Sequence, residues 1–244
     1  MKLGIMQPYF FPYIGYWQLL NEVDVYVIYD DVNFIKGGWI NRNRILVNAK
    51  PTYFNVQMKG ASPFKKINEV EVSDDSVFKR KLLSTLKMSY SKAPYFEQIY
   101  PILENIINNK ESSLSRYLEY SIRTIANYLD MNTKIIVSSN IEKNNELKGK
   151  EKVIHICNIL GATDYINAIG GQEMYDYESF DENGIQLNFL KTNDIIYRQY
   201  SDEFVPYLSI IDVLMFNSKE EVKNLLNQFE LVNDKNKVKE RKLK

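Results

Sequence analysis

The chain has 244 residues, 45% hydrophobic and 25% charged, with 31 basic and 31 acidic side chains. This is a globular composition with enough apolar material for a sizeable core. The charge balance excludes a dedicated binder of duplex nucleic acid, which needs a surplus of cations against phosphate. A lone cysteine, Cys157, excludes an internal disulfide framework and fits a reducing compartment. No stretch approaches the roughly 18 apolar residues that span a bilayer. The apolar run at residues 1–6 is too short for a signal peptide, so a cytoplasmic location without membrane insertion is expected.

Residues 2–6 read as a short buried strand. Residues 7–15 carry Pro8, Pro12 and Gly15, which break regular structure. Residues 16–23 read as a helix, and residues 24–29, rich in Val, Ile and Tyr, as a second strand. Strand, loop, helix and strand make a βαβ unit with a right-handed crossover. Strands at 45–47, 53–58 and 70–72 suggest a hairpin excursion. Helical periodicity follows at 76–89, 95–108 and 113–129, with Ser112 and Ser113 as N-cap candidates for the third. Next come a strand at 134–137, a helix at 151–160 closed by Gly161, and strands at 165–169 and 185–190. Helices are expected at 210–216 and 220–229. Residues 233–244 are charged, without a core-forming pattern, and read as a disordered tail. The sum is a single α/β domain over residues 1–232. Its mostly parallel, Rossmann-like sheet is flanked by helices, with the helical segment 76–130 inserted.

Ligands of open α/β sheets bind beyond the carboxyl ends of strands. The first such end is Gln7, and the loop after it holds Tyr9, Phe10, Tyr13 and Tyr16. The helix that follows aims its N-terminal amides into the same space. The second strand ends at Asp30 and Asp31, with Asn33 just beyond. Lys36, Trp39, Asn41, Arg42, Asn43 and Arg44 come next. In an extended segment the two asparagines share one face and the two arginines the other. Only one pair then faces the pocket, and the sequence leaves open which. Guanidinium groups hold phosphate or carboxylate bidentately. Asp30 or Asp31 is the candidate general base, since adjacent carboxylates raise one another's pKa. Ser138-Ser139 and Gly170-Gly171 follow later strands and offer backbone donors to the same cleft. No metal site is expected, because adjacent aspartates in a strand point to opposite faces. Cys157 falls on a core stripe with Val153, Ile154 and Leu160. His155, the lone histidine, lies about 200° away around the helix, which argues against a Cys–His pair and against zinc.

The run MQPYFFPYIGYWQLLNEVDVYVIYDDVNFIKGGWINRNRI, residues 6–45, resembles the opening of the WbqC-like family. The resemblance extends to SSNI at 138–141, LGATDYINAIGGQEMY at 160–175 and YRQYSDEFVPYLSIIDVLMFN at 197–217. These blocks add Tyr175, Tyr197, Gln199 and Asp212 to the candidate site. Asp212 interrupts an apolar run, so it is either buried with a partner or functional. Members of that family tend to lie in O-antigen and other surface-glycan gene clusters. The resemblance implies transfer of an acyl or aminoacyl group, such as glycine, to the amine of a nucleotide-linked amino sugar. The implied donor is a carrier-protein or CoA thioester, or an aminoacyl-tRNA; no other cofactor is expected. A homodimer is the default assembly. Two other readings stand beside this one. The opening also looks like that of nucleotidylyltransferase-like enzymes with a His-x-Gly-His loop, except that Tyr13 and Tyr16 stand in the histidine positions. A non-catalytic sugar-binding or assembly protein is the third.

Overall fold

The computed structural model describes residues 1–200 and 203–233. The N-terminal part runs β1 (Lys2–Met6), α1 (Ile14–Glu22), β2 (Val25–Ile28), β3 (Arg42–Val47), β4 (Lys50–Asn55), β5 (Met58–Lys59) and β6 (Glu71–Val72). Three helices follow: α2 (Ser76–Tyr90), α3 (Phe96–Ile107) and α4 (Leu114–Tyr128). The chain then forms β7 (Lys134–Val137), α5 (Gly149–Leu160), β8 (Asp164–Ala168), α6 (Tyr177–Asp181) and β9 (Gln186–Thr192). It closes with α7 (Ile210–Phe216), α8 (Lys219–Leu226) and β10 (Phe229–Val232).

The central sheet has the order β10-β9-β8-β1-β2-β7. All neighbours pair in parallel except β10, which runs antiparallel to β9. Taken in chain order, the five parallel strands give the 3-2-1-4-5 arrangement of nucleotide-binding sheets, with the switch point between β1 and β8. The expected mixed α/β fold with a mostly parallel, helix-flanked sheet is therefore present. The helical segment is inserted between β6 and β7.

Strand alternation sorts the core into two clusters. Leu3, Ile5 and Val27 face α5 and α6, together with Cys157 and Phe180. Tyr26 and Ile28 face α1 and the inserted helices, with Trp17, Leu19 and Tyr117. Fully burying each such side chain contributes about 1.5–3 kcal/mol. Cys157 is core, as its stripe suggests, and burial pushes its thiol up to about 12. His155 is half-buried, and its Nε2 accepts the Asn144 amide at 3.2 Å.

Several boundaries differ from the periodicity reading. Helix α1 starts at Ile14, because Gly15 lets its first turn come close to its neighbours. A Cβ at Gly15 would lie 2.5 Å from the Tyr13 ring and 2.6 Å from Thr192 Oγ1. The helix read at 220–229 stops at Leu226, and Phe229 begins an edge strand. Gln18 enforces that stop, donating through Nε2 to the carbonyls of Leu225 (2.9 Å) and Gln228 (3.0 Å). The strand read at 53–58 is broken between Asn55 and Met58. Ser113 occupies the N-cap of α4, but its side chain makes no capping bond. Beyond Asn233 the expected charged tail lies outside the described residues. Among the described residues, no helix is long and apolar enough to cross a membrane.

Candidate functional site

The loops after β1 and β9 meet β3 at one end of the sheet. They enclose a cavity of about 340 Å³ lined by Tyr9, Pro12, Tyr13, Trp39, Arg44 and Tyr207. A second cavity, of about 300 Å³, shares Tyr13 and Tyr207 and continues along Thr192, Ile196, Tyr197 and Phe204. Tyr13 and Tyr207 thus stand between the two spaces. Gly15 makes room for the Tyr13 ring, so the placing of this ring is written into the first turn of α1.

The alternation of β3 decides the face left open by sequence. Asn43 points inward. Its Nδ2 donates to the Phe11 carbonyl at 2.8 Å, and its Oδ1 accepts the Arg44 amide at 2.8 Å. Phe11 has a left-handed φ of 43°, a conformation that costs a non-glycine residue energy. Asn43 is therefore a pin for the aromatic loop that also touches the cavity edge. The arginines take the outer face. Arg42 donates to the carbonyls of Gly37 and Gly38 and lies 4.6 Å over the Tyr53 ring, closing its own turn. Arg44 faces the cavity, 5.9 Å from the Trp39 ring centre. One of its nitrogens donates to the Tyr207 carbonyl at 3.3 Å, while its buried Nε has no partner.

In sequence, this arginine lies in a cation-rich segment that the global charge balance hid. Residues 32–68 contain no Asp or Glu and seven cations: Lys36, Arg42, Arg44, Lys50, Lys59, Lys65 and Lys66. Among the described residues, none of the seven forms an ion pair. The signal was legible in a windowed charge count.

Asp30 and Asp31 diverge, as adjacent residues at a strand end must. Asp31 accepts Ser138 Oγ at 2.7 Å, Lys152 Nζ at 2.9 Å and Lys143 Nζ at 3.0 Å. Both lysines are buried, with 5% and 1% of their side chains exposed. Burial acts to raise the Asp31 pKa, but the bonds from Lys152, Ser138 and Lys143 win and hold it below the usual carboxylate range. The expectation that the two aspartates raise one another is thus corrected at Asp31. Sequence reading missed both lysines; Lys152, set in the buried stripe of α5, was the available clue.

Asp30 is 1% exposed and has only neutral partners. Ser115 Oγ and Ser139 Oγ donate to it at 2.8 Å, and the Ser139 amide at 2.9 Å. Ser138 and Ser139 therefore spend donors on the aspartates, where donors to a ligand were expected. Neither aspartate lines the aromatic cavity. Asp30 lines a separate polar cavity of about 340 Å³ with Asn68, Arg116, Ser139 and Asn140. The sequence reading gathered carboxylates and phenols into one pocket; the structure divides them.

The remaining candidates sort by burial. Phe10 is fully buried against Phe11 and Phe54, so its ring is core. Tyr16 is also buried, its hydroxyl donates to the Gln7 carbonyl at 3.2 Å, and burial raises its pKa. Gln7 thus ties the loop to α1 through its backbone. Asn33 and Lys36 are exposed and line none of these cavities; Asn33 bridges to Lys66. The Asn41 carbonyl accepts the Val56 amide at 2.9 Å. Gly170 and Gly171 lie in the turn Ile169–Met174 past β8, where a Cβ on Gly171 would press on Asn167 at 3.2 Å. Tyr175 packs edge-on against Tyr165, with the α5 and α6 cluster. Gln199 and Asp212 are buried together. Asp212 accepts from Tyr90, Tyr197 and Gln199, each at 2.8 Å, and burial raises its pKa against these bonds. Its role is to anchor the segment that carries Tyr197 and Tyr207.

These features define a doubly wound α/β protein with an aromatic, arginine-bearing cavity at one end of a nucleotide-type sheet. The chain belongs to the WbqC-like protein family, whose model matches residues 7–224. An uncharacterised protein of Mycobacterium tuberculosis is 29% identical over 229 residues, covering 92% of this chain and 97% of the relative. No solved structure matches.

Proposed function

We propose that the chain binds a nucleotide-linked amino sugar in the aromatic cavity and transfers an acyl or aminoacyl group to the sugar amine. The observation that carries this reading is Arg44. It is a cation facing a cavity walled by Tyr9, Tyr13, Trp39 and Tyr207, in a segment whose seven cations form no ion pair among the described residues. Aromatic faces suit sugar rings and bases, and unpaired guanidinium and ammonium groups suit a diphosphate. In the transfer, the amine nitrogen attacks the donor carbonyl, the new C–N bond forms, and the thioester C–S or ester C–O bond breaks. The thiol or hydroxyl leaves with a proton, and a base takes the proton of the amine. Neither aspartate is placed to take the proton of an amine in the aromatic cavity: Asp31 is paired with two lysines, and Asp30 lines a separate cavity.

One observation favours a second reading, sugar binding without turnover: neither aspartate opens on the aromatic cavity. The nucleotidylyl reading is weakened by Tyr16, whose buried hydroxyl is already spent on Gln7. The first experiment is a thermal-shift panel with nucleotide-linked amino sugars, free nucleotides and ATP, on the wild-type chain and Arg44→Ala. A ligand at 100 times its Kd adds about 2.7 kcal/mol. Stabilisation by an amino-sugar nucleotide, lost in Arg44→Ala, supports the reading and leads to a screen of thioester and aminoacyl-ester donors. Stabilisation by ATP alone refutes it, and sugar binding without turnover under any donor selects the second reading.

A further inference from the structure

The polar cavity that Asp30 lines has its own chemistry. Its floor carries acceptors. Asp30 is a buried carboxylate with no cation within ion-pair distance among the described residues, and its three donors are neutral. Beside it, the buried Asn68 Oδ1 has no donor. A buried acceptor without a partner is uncommon and calls for an explanation. Its rim carries Arg116 and Glu119, and Glu119 is already paired with Arg123 at 2.8 Å. Arg116 is exposed, forms no ion pair among the described residues, and sits in the first turn of α4. The start of that helix is already answered: the Ser113 amide donates to the Glu111 carboxylate at 3.0 Å, and Ser115 Oγ in its first turn to Asp30, so the open positive charge at the rim is Arg116 itself. Past Arg116 and Glu119 the cavity leads into a wider polar trough of about 570 Å³.

We infer that this cavity binds the α-amino end of an amino acid or aminoacyl group. The ammonium sits at Asp30 and Asn68 Oδ1, the carbonyl or carboxylate is turned toward Arg116, and the rest of the molecule leaves along the trough. A simple anion does not fit, because Asp30 repels it at the floor. A simple cation leaves Arg116 unanswered at the rim. A ligand carrying both groups satisfies both ends. The role of this ligand as the transferred group rests on the transfer reading above; its binding does not.

The test is isothermal titration calorimetry of the full chain with small amino acids and their methyl esters, against methylamine and acetate as half-ligands. Amino acids or their esters are expected to bind at least about tenfold more tightly than either half, since each lost partner leaves a desolvated charge or acceptor unmet. Asn68→Leu is expected to weaken both amino acids and methylamine. Arg116→Gln, a change at an exposed position, is expected to weaken amino acids while leaving methylamine as before. Absence of amino-acid and ester binding, acetate binding as tightly as the amino acid, or unchanged amino-acid affinity in Arg116→Gln overturns the inference. Amino-acid binding that persists when no amino-sugar nucleotide stabilises the chain refutes the transferase reading alone. The converse refutes this inference alone.

Discussion

Replacing Asp212 tests how the aromatic site is held. The carboxylate is fully buried and receives Tyr90, Tyr197 and Gln199. In Asp212→Ala, Gln199 keeps the Val205 carbonyl as an acceptor, but the two phenol hydroxyls lose theirs. Each stranded buried donor costs about 1–3 kcal/mol, less where water can reach it, as at half-buried Tyr197. The sum is about 3 kcal/mol, or a Tm lower by roughly 6–12 °C for a chain of this size. Asp212→Asn separates charge from shape. Burial raises the Asp212 pKa in the folded state. Between the unfolded pKa and the raised folded one, the native state binds more protons than the unfolded state. Stability from this group is therefore complete below the unfolded pKa and is lost as pH rises through the folded one. Urea unfolding of wild type and Asp212→Asn at intervals from pH 4 to 8 reads this directly. The variant should gain on wild type as pH rises through that window, and a difference independent of pH would refute the account. Because Tyr207 follows the anchored segment, Asp212→Ala should also weaken any ligand of the aromatic cavity.

Three further outcomes follow from contacts already described. Asp31→Asn strands two buried lysines and should cost about 3–5 kcal/mol in urea unfolding. Because the Asp31 pKa is lowered, its stabilisation is present above the unfolded value and vanishes as pH falls through the folded one, so an undiminished penalty at pH 2 would contradict the pairing. Gly15→Ala drives a methyl into the Tyr13 ring and Thr192, which should cost about 1–3 kcal/mol and move Tyr13 out of the wall between the cavities. A melting curve and a ligand titration on the same sample would show both effects or dismiss them. Cys157, its pKa pushed up to about 12, should resist a thiol reagent in the native chain and react at once after unfolding. Rapid labelling of folded protein would mean that α5 opens locally.

Period and turn chemistry reported the fold well wherever local pattern and tertiary packing agree. The strands at 2–6 and 134–137, the three inserted helices and the Gly161 cap are of this kind. The misreading at the C-terminus was of another kind. Residues 220–229 have helical character throughout, and the stop at Leu226 is imposed by the side chain of Gln18, two hundred positions earlier. No local pattern carries that information. The same holds for the site. Which of Asn43 and Arg44 faces outward depended on register, and the partners of Asp31 come from Ser138, Lys143 and, in α5, Lys152, all over a hundred residues away. The sequence named the aspartates but not the lysines that decide what Asp31 can do.

The charge arrangement argues most directly about the ligand. A chain with zero net charge can still be strongly polar if its cations are segregated. Here seven cations sit in residues 32–68, so the remainder carries a matching acidic surplus. Outside that segment lysines and arginines repeatedly find carboxylates: Lys2 with Glu22, Lys150 with Asp176, Lys219 and Lys223 with Asp130. Inside it Arg42 and Arg44 find carbonyls and aromatic rings. An anion entering beside Arg44 therefore breaks no ion pair of the described residues and meets a cation already fixed by neutral contacts. A long polyanion would also meet the acidic remainder and be repelled. On the proposed function, that combination favours a compact anion such as a diphosphate over a long polyanion, with the aromatic walls discriminating among the groups it carries.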